Sequence, residues 1–194
     1  MDTFKRELTN LMNVIFFDQN RYLRETCTDQ ERIEHVIQLG ETLLVEQSTN
    51  NADSFFLRGT LGNLYRIHGM TDRAKAYLTK CLDDARTIRN QAKEIATMIR
   101  LGEAMKYGDE HSKALHLFDQ AIALCQSGIH PVYLDFALQH KGKCLMELNQ
   151  LTEAEACFTE ALQLRLDKED PSLIDSTRQA ITLLNSLKTE HVDD

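Results

Sequence analysis

Tryptophan is absent from the 194-residue sequence, and proline and glycine, which most often interrupt helices, occur only 2 and 8 times. Folds built from many short strands need frequent tight turns, and such turns draw on glycine and proline. Leucine, alanine, glutamate, glutamine and lysine, which favour helices, are frequent instead. The composition therefore predicts an all-helical protein with short connections.

An excess of basic residues is also lacking, since 22 lysines and arginines face 30 acidic residues and give a net charge of −8. Nucleic-acid binding gains much of its free energy from basic side chains that displace counterions. DNA or RNA is therefore not the expected partner. No apolar stretch is long enough to cross a bilayer, so we do not expect a membrane partner either.

The five cysteines are odd in number and form no C-x-x-C pair. Scattered cysteines of this kind are typical of reduced thiols rather than of a disulfide framework or a zinc site. Residues 1–11 carry several charges, and no long apolar run follows them, which is unlike a secretory signal. Together these features predict a cytoplasmic protein.

The sequence does contain an internal repeat with a period of 40 residues. Two columns of small residues keep this spacing, namely Gly62, Gly102 and Gly142, and Ala74, Ala114 and Ala154. Three apolar columns keep it as well: Leu78, Phe118 and Phe158; Cys81, Ala121 and Ala161; Leu82, Ile122 and Leu162. Columns that keep their chemical character over two shifts indicate a repeat architecture.

Each unit predicts two helices, because apolar residues recur at helical spacing on both sides of one short polar break. Short breaks force the two helices to lie antiparallel. Thr152 and Glu155 have the spacing of a capping box, and Pro131 and Pro171, the latter with Asp170 as cap, fit helix starts. The predicted helices are 3–17, 30–47, 53–68, 72–88, 91–107, 110–126, 131–148, 152–167 and 172–187.

The columns resemble the tetratricopeptide repeat: a glycine inside the first helix, a large residue three positions later, then alanine, a bulky residue and a small residue along the second. Small residues are needed where two helix backbones cross closely. The glycine-to-alanine distance matches the signature, whereas the period exceeds the usual value of about 34. Longer-helix variants are similar to those of kinesin light chains, spindle-orientation scaffolds and bacterial peptide-sensing regulators. HEAT-type helix pairs share the longer period but do not explain both small-residue columns.

The resemblance implies an all-α fold, an α-solenoid of antiparallel helix pairs with about nine helices. We divide it into an N-terminal helical pair at 1–52, which is a degenerate repeat or cap, and three repeats at 53–90, 91–128 and 129–167. Residues 168–194 then form a capping helix and a short tail, because an open stack needs its last apolar face covered.

In this family the first helices line a concave groove that binds peptides or helices of partner proteins. Carried over to this sequence, the candidate groove residues surround each glycine. They are Phe56, Asn63, Arg66, Ile99, Arg100, Glu103, Lys106, Gln139, His140 and Lys143. Asn63 offers a donor and an acceptor to an extended peptide, and the basic residues offer partners for carboxylates.

The alternative interpretation is that Arg100, Lys106 and Lys143 are ordinary solvated charges. The carboxylate clamp of chaperone cofactors is not predicted, because Gly59, Thr60 and Gln139 depart from its residue set.

No catalytic motif, metal-binding histidine pair or cofactor fingerprint is present, so we predict no enzyme, no metal and no cofactor. The favoured hypothesis is a protein–protein interaction module or adaptor. A bacterial-type peptide-sensing regulator is the second hypothesis, and an enzyme of unspecified chemistry is the third. The sequence alone does not decide between monomer and homodimer.

Overall fold

The computed structural model describes residues 1–46, 51–128 and 130–190, and this part of the chain contains nine α-helices and one two-stranded sheet. The helices are α1 (Asp2–Met12), α2 (Gln30–Glu46), α3 (Asn51–Ile67), α4 (Thr71–Thr87), α5 (Gln91–Tyr107), α6 (His111–Gln126), α7 (Leu134–Glu147), α8 (Leu151–Asp167) and α9 (Pro171–Glu190). The strands are β1 (Ile15–Asp18) and β2 (Arg24–Cys27), which pair antiparallel.

Helices α3 to α8 form three antiparallel pairs that stack in chain order, which confirms the predicted solenoid. Each pair packs within itself and against the next, since α3 contacts α4, α4 contacts α5, and the pattern continues to α9. Helix α5 also contacts both α3 and α7. The three first helices therefore stand side by side and form one wall, which is the concave face of such a stack.

The glycine column marks the closest crossing inside each pair. A Cβ atom placed at these glycines would lie 2.5 Å from Leu78 for Gly62, 2.5 Å from Phe118 for Gly102, and 2.6 Å from Phe158 for Gly142. These distances are far below normal contact, so only glycine lets the bulky residue of the second helix pack there. The 40-residue period thus repeats one glycine-to-ring or glycine-to-leucine contact.

The turn inside each pair also repeats. Gly69, Asp109 and Asn149 have φ angles of +90°, +59° and +59° and end the first helix of each pair. The amide of the following residue, Met70, Glu110 or Gln150, donates to the carbonyl five residues back, at 2.8 to 2.9 Å. This left-handed ending satisfies carbonyl groups that the helix leaves free. The identical turns give each pair the same crossing.

The prediction of a continuous helix over 3–17 is wrong beyond Met12. Helix α1 ends there, and residues 15–27 form a β-hairpin instead. The loop between its strands contains Tyr22 and Leu23, both with positive φ. The apolar run at residues 15–17 is too short for its spacing to distinguish a helix from a strand. Contacts with residues far along the chain therefore decide its structure.

The helix ends agree with the sequence at some positions and differ at others. Asp170 accepts hydrogen bonds from the amides of Ser172 and Leu173, which confirms it as the cap before Pro171. The capping box predicted at Thr152 is wrong, because α8 begins one residue earlier, at Leu151, without a side-chain cap. Three predicted features, the helix end at Gln47, the repeat boundary at Ile129 and the tail at 191–194, lie outside the described residues.

Helix α9 packs against α8 and α7 and covers the last pair. It is tied down by Arg165, whose side chain is 2% exposed and pairs with Asp135 Oδ2 at 2.9 Å. Arg165 also donates to Thr177 Oγ1 at 2.8 Å and to the Leu173 carbonyl at 3.0 Å. Within the three ranges given above, no helix is long and apolar enough to cross a membrane.

Candidate functional site

The concave wall brings most of the predicted groove residues together. Eight of them line one cavity of about 280 Å³: Asn63, Arg66, Ile99, Arg100, Glu103, Gln139, His140 and Lys143. Phe56 lines a neighbouring cavity of about 370 Å³ that shares Asn63 and Arg100 with the first. Lys106 lines neither cavity, because its side chain is fully buried. The candidate residues from all three first helices therefore lie close together on the concave wall.

The hairpin lies across the wall and covers the carboxyl-terminal halves of its three helices. Arg24 of β2 donates to the Lys106 carbonyl at the end of α5, at 3.1 Å, and pairs with Glu147 at the end of α7. Glu25 pairs with Arg66 at the end of α3. The wall is therefore divided into a half that the hairpin covers and a half that stays open.

The closed half contains a chain of ion pairs centred on Glu147. Its side chain is 3% exposed and accepts two hydrogen bonds from Arg24, at 3.0 and 2.6 Å. His111 Nε2 lies 2.8 Å from the same carboxylate, and Lys106 Nζ lies 3.5 Å from it. Buried charges need such partners, because an isolated one would lose its hydration without compensation.

A second carboxylate, Glu103, continues this network toward α3. Lys106 Nζ lies 3.0 Å and His140 Nδ1 3.1 Å from Glu103 Oε1, and Arg66 lies 3.8 Å from the other oxygen. Burial alone would raise the pKa of Glu103, but Lys106, His140 and Arg66 together hold it well below its usual value. Glu103 and Lys106 thus pair with other residues of the protein and are not available to a ligand.

Lys143 sits at the border between the two halves. Its ammonium donates to the Leu23 carbonyl at 3.3 Å and lies 4.5 Å from the centre of the Phe17 ring. Burial and the charge of Lys106 lower the pKa of Lys143 to about 8. Among the described residues no carboxylate pairs with it. The hairpin therefore contacts Lys143 directly through neutral groups, and the charge of Glu25 acts on it only from beyond ion-pair distance.

Leu23, in the hairpin loop, fixes the sheet to the wall. Its side chain is 3% exposed and joins the core cluster that contains Leu138, Leu145 and Met146. Its φ of +59° is costly for a residue with a branched side chain, and the burial compensates for this cost.

The open half contains Phe56, Asn63, Ile99 and Arg100, with Gln139 and His140 at its far end. Arg100 is exposed and has no hydrogen bond or ion pair to any described residue. Its guanidinium lies beside Gly59, where a Cβ atom would be 3.1 Å away. Asn63 uses its side-chain oxygen to accept from Arg66 at 2.7 Å, so only its amide group is free to donate. Arg100 is thus an unpaired cation in an open cleft.

Sequence reasoning missed the residues that the hairpin contributes and those that receive it. Phe17 and Glu25 of the hairpin line the cavity together with the helices, and Arg24 and Leu23 anchor the sheet. His111, at the start of α6, also contacts Glu147. No local pattern indicates these contacts, because their partners lie far away along the chain.

The family model for the tetratricopeptide repeat matches residues 57–83 and 137–168. These segments correspond to the first and third predicted units, and the glycine contact of the second unit has the same geometry. The resemblance to the tetratricopeptide repeat that the glycine and alanine columns indicated is therefore found in both segments. No curated protein matches the chain in sequence.

Three solved structures show the same fold. RapI in its apo form has a TM-score of 0.67 at 12% identity, over 84% of this chain and 59% of the RapI chain. PlcR of Bacillus thuringiensis, solved with the peptide PapR7 and DNA, has a TM-score of 0.65 at 15% identity, over 79% of this chain and 54% of PlcR. A kinesin light chain of Podosopora anserina with nearly identical TPR-like repeats has a TM-score of 0.59 at 14% identity, over 84% of this chain and 90% of the kinesin light chain.

This chain spans little more than half of RapI and PlcR. Identities this low show the fold alone.

Proposed function

We propose that the protein is a non-enzymatic interaction module that binds a peptide segment of a partner protein in the open half of its concave wall. The observation that carries the proposal is Arg100, an unpaired cation between two adjoining cavities that also present apolar side chains. Ile99 and Phe136 line the first cavity, and Phe56 lines the second. Peptide grooves combine apolar pockets with a few polar groups that fix orientation in this way.

The covered half of the wall does not take part in this proposal. Arg66, Glu103 and Lys106, which were predicted as groove residues, serve to hold the hairpin and each other. Binding of a ligand to them would require the hairpin to leave and would expose several charges that now pair inside the protein. We therefore assign the ligand to Phe56, Asn63, Ile99 and Arg100, with Gln139, His140 and Lys143 at one end.

A peptide library tests the assignment. The protein is incubated with immobilised random short peptides, and the bound sequences are compared for wild type and for Arg100→Glu combined with Asn63→Ala. We expect the double variant to lose most of the bound peptides. The control combines Arg32→Glu on α2 with Asn185→Ala on α9, which changes the same residue types outside both cavities. Equal binding by all three proteins would show that the open half is not the site.

A peptide-sensing regulator is the second candidate. The likeness to the fold of PlcR, which was solved with a peptide and DNA, favours it, as does a hairpin that touches all three first helices beside the open half. A sensor is expected to be stabilised thermally by a small number of related peptides, and binding should change the hairpin contacts. A flat melting response across the library would argue against sensing, whereas a plain adaptor would bind without altering the hairpin.

We further propose that the protein acts in the cytoplasm on a protein or peptide partner. All five cysteines are buried and unpaired in the structure, which suits a reducing compartment. The net charge of −8 gives no support to a nucleic-acid partner. We retain the division into 1–52, three repeats at 53–90, 91–128 and 129–167, and 168–194 as a proposal, with the hairpin included in the first segment.

A further inference from the structure

The hydrogen-bonding pattern of the hairpin leaves one edge of β1 free. In an antiparallel pair, directly opposed residues either exchange both backbone hydrogen bonds or exchange none, and the two kinds alternate. Phe17 lies opposite Glu25, and the Glu25 amide donates to the Tyr107 hydroxyl of α5 instead of to Phe17. The pair is therefore of the kind without hydrogen bonds. Phe17 and, two residues earlier, Ile15 point their amides and carbonyls away from β2.

The two edges of the sheet have different neighbours. The outer edge of β2 faces the end of α5, where the Tyr107 hydroxyl accepts a hydrogen bond from the Glu25 amide. No described residue outside the sheet bonds the amide or carbonyl of Ile15 or Phe17. A free strand edge is a template for another strand.

The free edge of β1 borders the open half of the wall. Ile15 lines the cavity that contains Phe56, and Phe17 lines the cavity that contains Phe136. Arg100 and Asn63 line both cavities and thus lie between them. A third strand beside β1 would lie about 4.8 Å from it and would run past both cavities across the first helices.

The carboxylates Glu25 and Glu103 in the cavity are paired within the protein, and the charges along this path that lack an ion-pair partner are positive. Arg100 has no ion pair within the described chain, and Lys143, whose side chain is almost fully buried beside Phe17, has no carboxylate partner. The buried side-chain oxygen of Gln139, in the same cavity, also lacks a hydrogen-bond partner among the described residues. The cleft therefore offers two unpaired cations in a protein whose net charge is negative.

We propose that the groove takes an extended, acidic peptide segment, which adds to the free edge of β1 as a third strand and places a carboxylate against Arg100. This inference rests on the proposed function, and it specifies the conformation and the charge of the ligand. Backbone hydrogen bonds to Ile15 and Phe17 would give affinity, and the cavities on either side would select alternate side chains. The hairpin thus acts as part of the binding site.

The test uses a panel of short blocked peptides of alternating valine and threonine with glutamate, glutamine or lysine at one central position. Wild type, Arg100→Gln and the control Arg32→Gln are compared by titration calorimetry. We expect wild type and the control to bind the glutamate peptide at least about tenfold more tightly than the glutamine peptide, a difference of about 1.4 kcal/mol. Arg100→Gln should bind both peptides equally. The peptide amides fall into two alternating sets that point to opposite edges of the strand. Methylation of the set that faces β1 should abolish binding, and methylation of the other set should not.

Amide hydrogen exchange, measured by NMR, gives an internal control within one strand. The amides of Ile15 and Phe17 should exchange fast in the free protein and slow down when the glutamate peptide is added. The amide of Phe16, which points to Thr26, should be protected in both states. This contrast is specific for strand addition, because a ligand that only covered the sheet would slow all three amides together.

The outcomes separate the two proposals. Binding of panel peptides without slowing at Ile15 and Phe17, or without preference for glutamate, would overturn strand addition of an acidic segment and leave peptide binding in place. Absence of binding by every peptide, in this panel and in the random library, would overturn the proposed function and this inference with it. Slowed exchange at both amides with a glutamate preference that depends on Arg100 would support it.

Discussion

Arg24 and Glu147, separated by 123 positions in the chain, form a two-pronged ion pair that joins β2 to the end of α7. Both nitrogen-to-oxygen distances, 3.0 and 2.6 Å, are those of strong hydrogen bonds, and the Glu147 side chain is almost inaccessible to water. The guanidinium also bonds to the Lys106 carbonyl. One hairpin residue thus connects the second and third repeats.

The first prediction concerns this pair. Arg24→Ala should lower the free energy of unfolding by about 3 kcal/mol, because the buried charge of Glu147 would keep only His111 and Lys106 as partners. Urea denaturation followed by circular dichroism measures the loss. Arg32→Ala, which removes a weak and exposed pair to Asp29 at 3.8 Å, should cost less than about 0.5 kcal/mol. Equal losses in the two variants would show that the Arg24 pair does not stabilise the fold.

The second prediction concerns the anchor of the hairpin. Leu23→Ala should cost about 2 to 4 kcal/mol, the usual range for a buried leucine. Because the anchor holds the sheet to the wall, the amides bonded within the sheet, such as that of Phe16, should also exchange faster than in wild type, whereas exchange in the repeats should change less. Phe16→Ala is the control, since the Phe16 side chain is 47% exposed and its removal should change stability little. A hairpin that kept its protection in Leu23→Ala would contradict this role.

The third prediction concerns the repeat glycines. Gly102→Ala places a methyl group 2.5 Å from the Phe118 ring and should cost about 1 to 3 kcal/mol through overpacking. Adding Phe118→Val should recover part of that loss, because valine lacks the ring atoms that the new methyl group would meet. Gly108→Ala is the matched control, since its new methyl group would meet Thr71 at an ordinary 3.4 Å. Thermal melts compare the three variants. A neutral Gly102→Ala would disprove the steric explanation of the period.

The fourth prediction concerns pH. Because the pKa of Lys143 is lowered to about 8 from 10.5, the unfolded chain binds more protons than the folded one between these values. The charged form therefore destabilises the protein below about pH 8, and this penalty disappears as the pH rises toward 10.5. Lys143→Met should be more stable than wild type at pH 7, by about 1 to 3 kcal/mol after allowance for the lost contact to Leu23.

The same comparison at higher pH checks the cause. The advantage of Lys143→Met should shrink between pH 8 and 10.5, as measured by urea denaturation at each pH. Lys80→Met, which removes an exposed lysine, controls for the loss of a positive charge. An advantage that stayed constant with pH would show that burial of the Lys143 charge is not its source.

The repeats were predictable because their determinants recur. Gly62 and Leu78, or Gly142 and Phe158, lie within one helix pair, so their spacing is conserved at each shift of 40 residues and is visible in a single sequence. The wall could be predicted for the same reason, since the positions around each glycine must face the groove once the helix pair is defined. Eight of the ten candidates share a cavity as a result.

The hairpin was not predictable from local pattern. Ile15, Phe16 and Phe17 form an apolar run too short to distinguish a strand from a helix end. What selects the strand is a set of partners on α3, α5 and α7, such as Tyr107 for Glu25 and Lys143 for the Leu23 carbonyl. For the same reason the charges of the wall were expected to meet solvent or a ligand, whereas Arg66 and Lys106 meet charged residues of their own chain.

The hairpin also sets a minimum number of repeats. Each helix pair has the same kind of turn and an equivalent glycine contact, so loss of one unit would leave these features of the other units intact. The sheet, however, has a constant length, and it contacts Arg66 in the first unit, Lys106 in the second and Lys143 in the third. An array with only two units would leave one end of the sheet without its partner, which ties this N-terminal segment to a stack of at least three units.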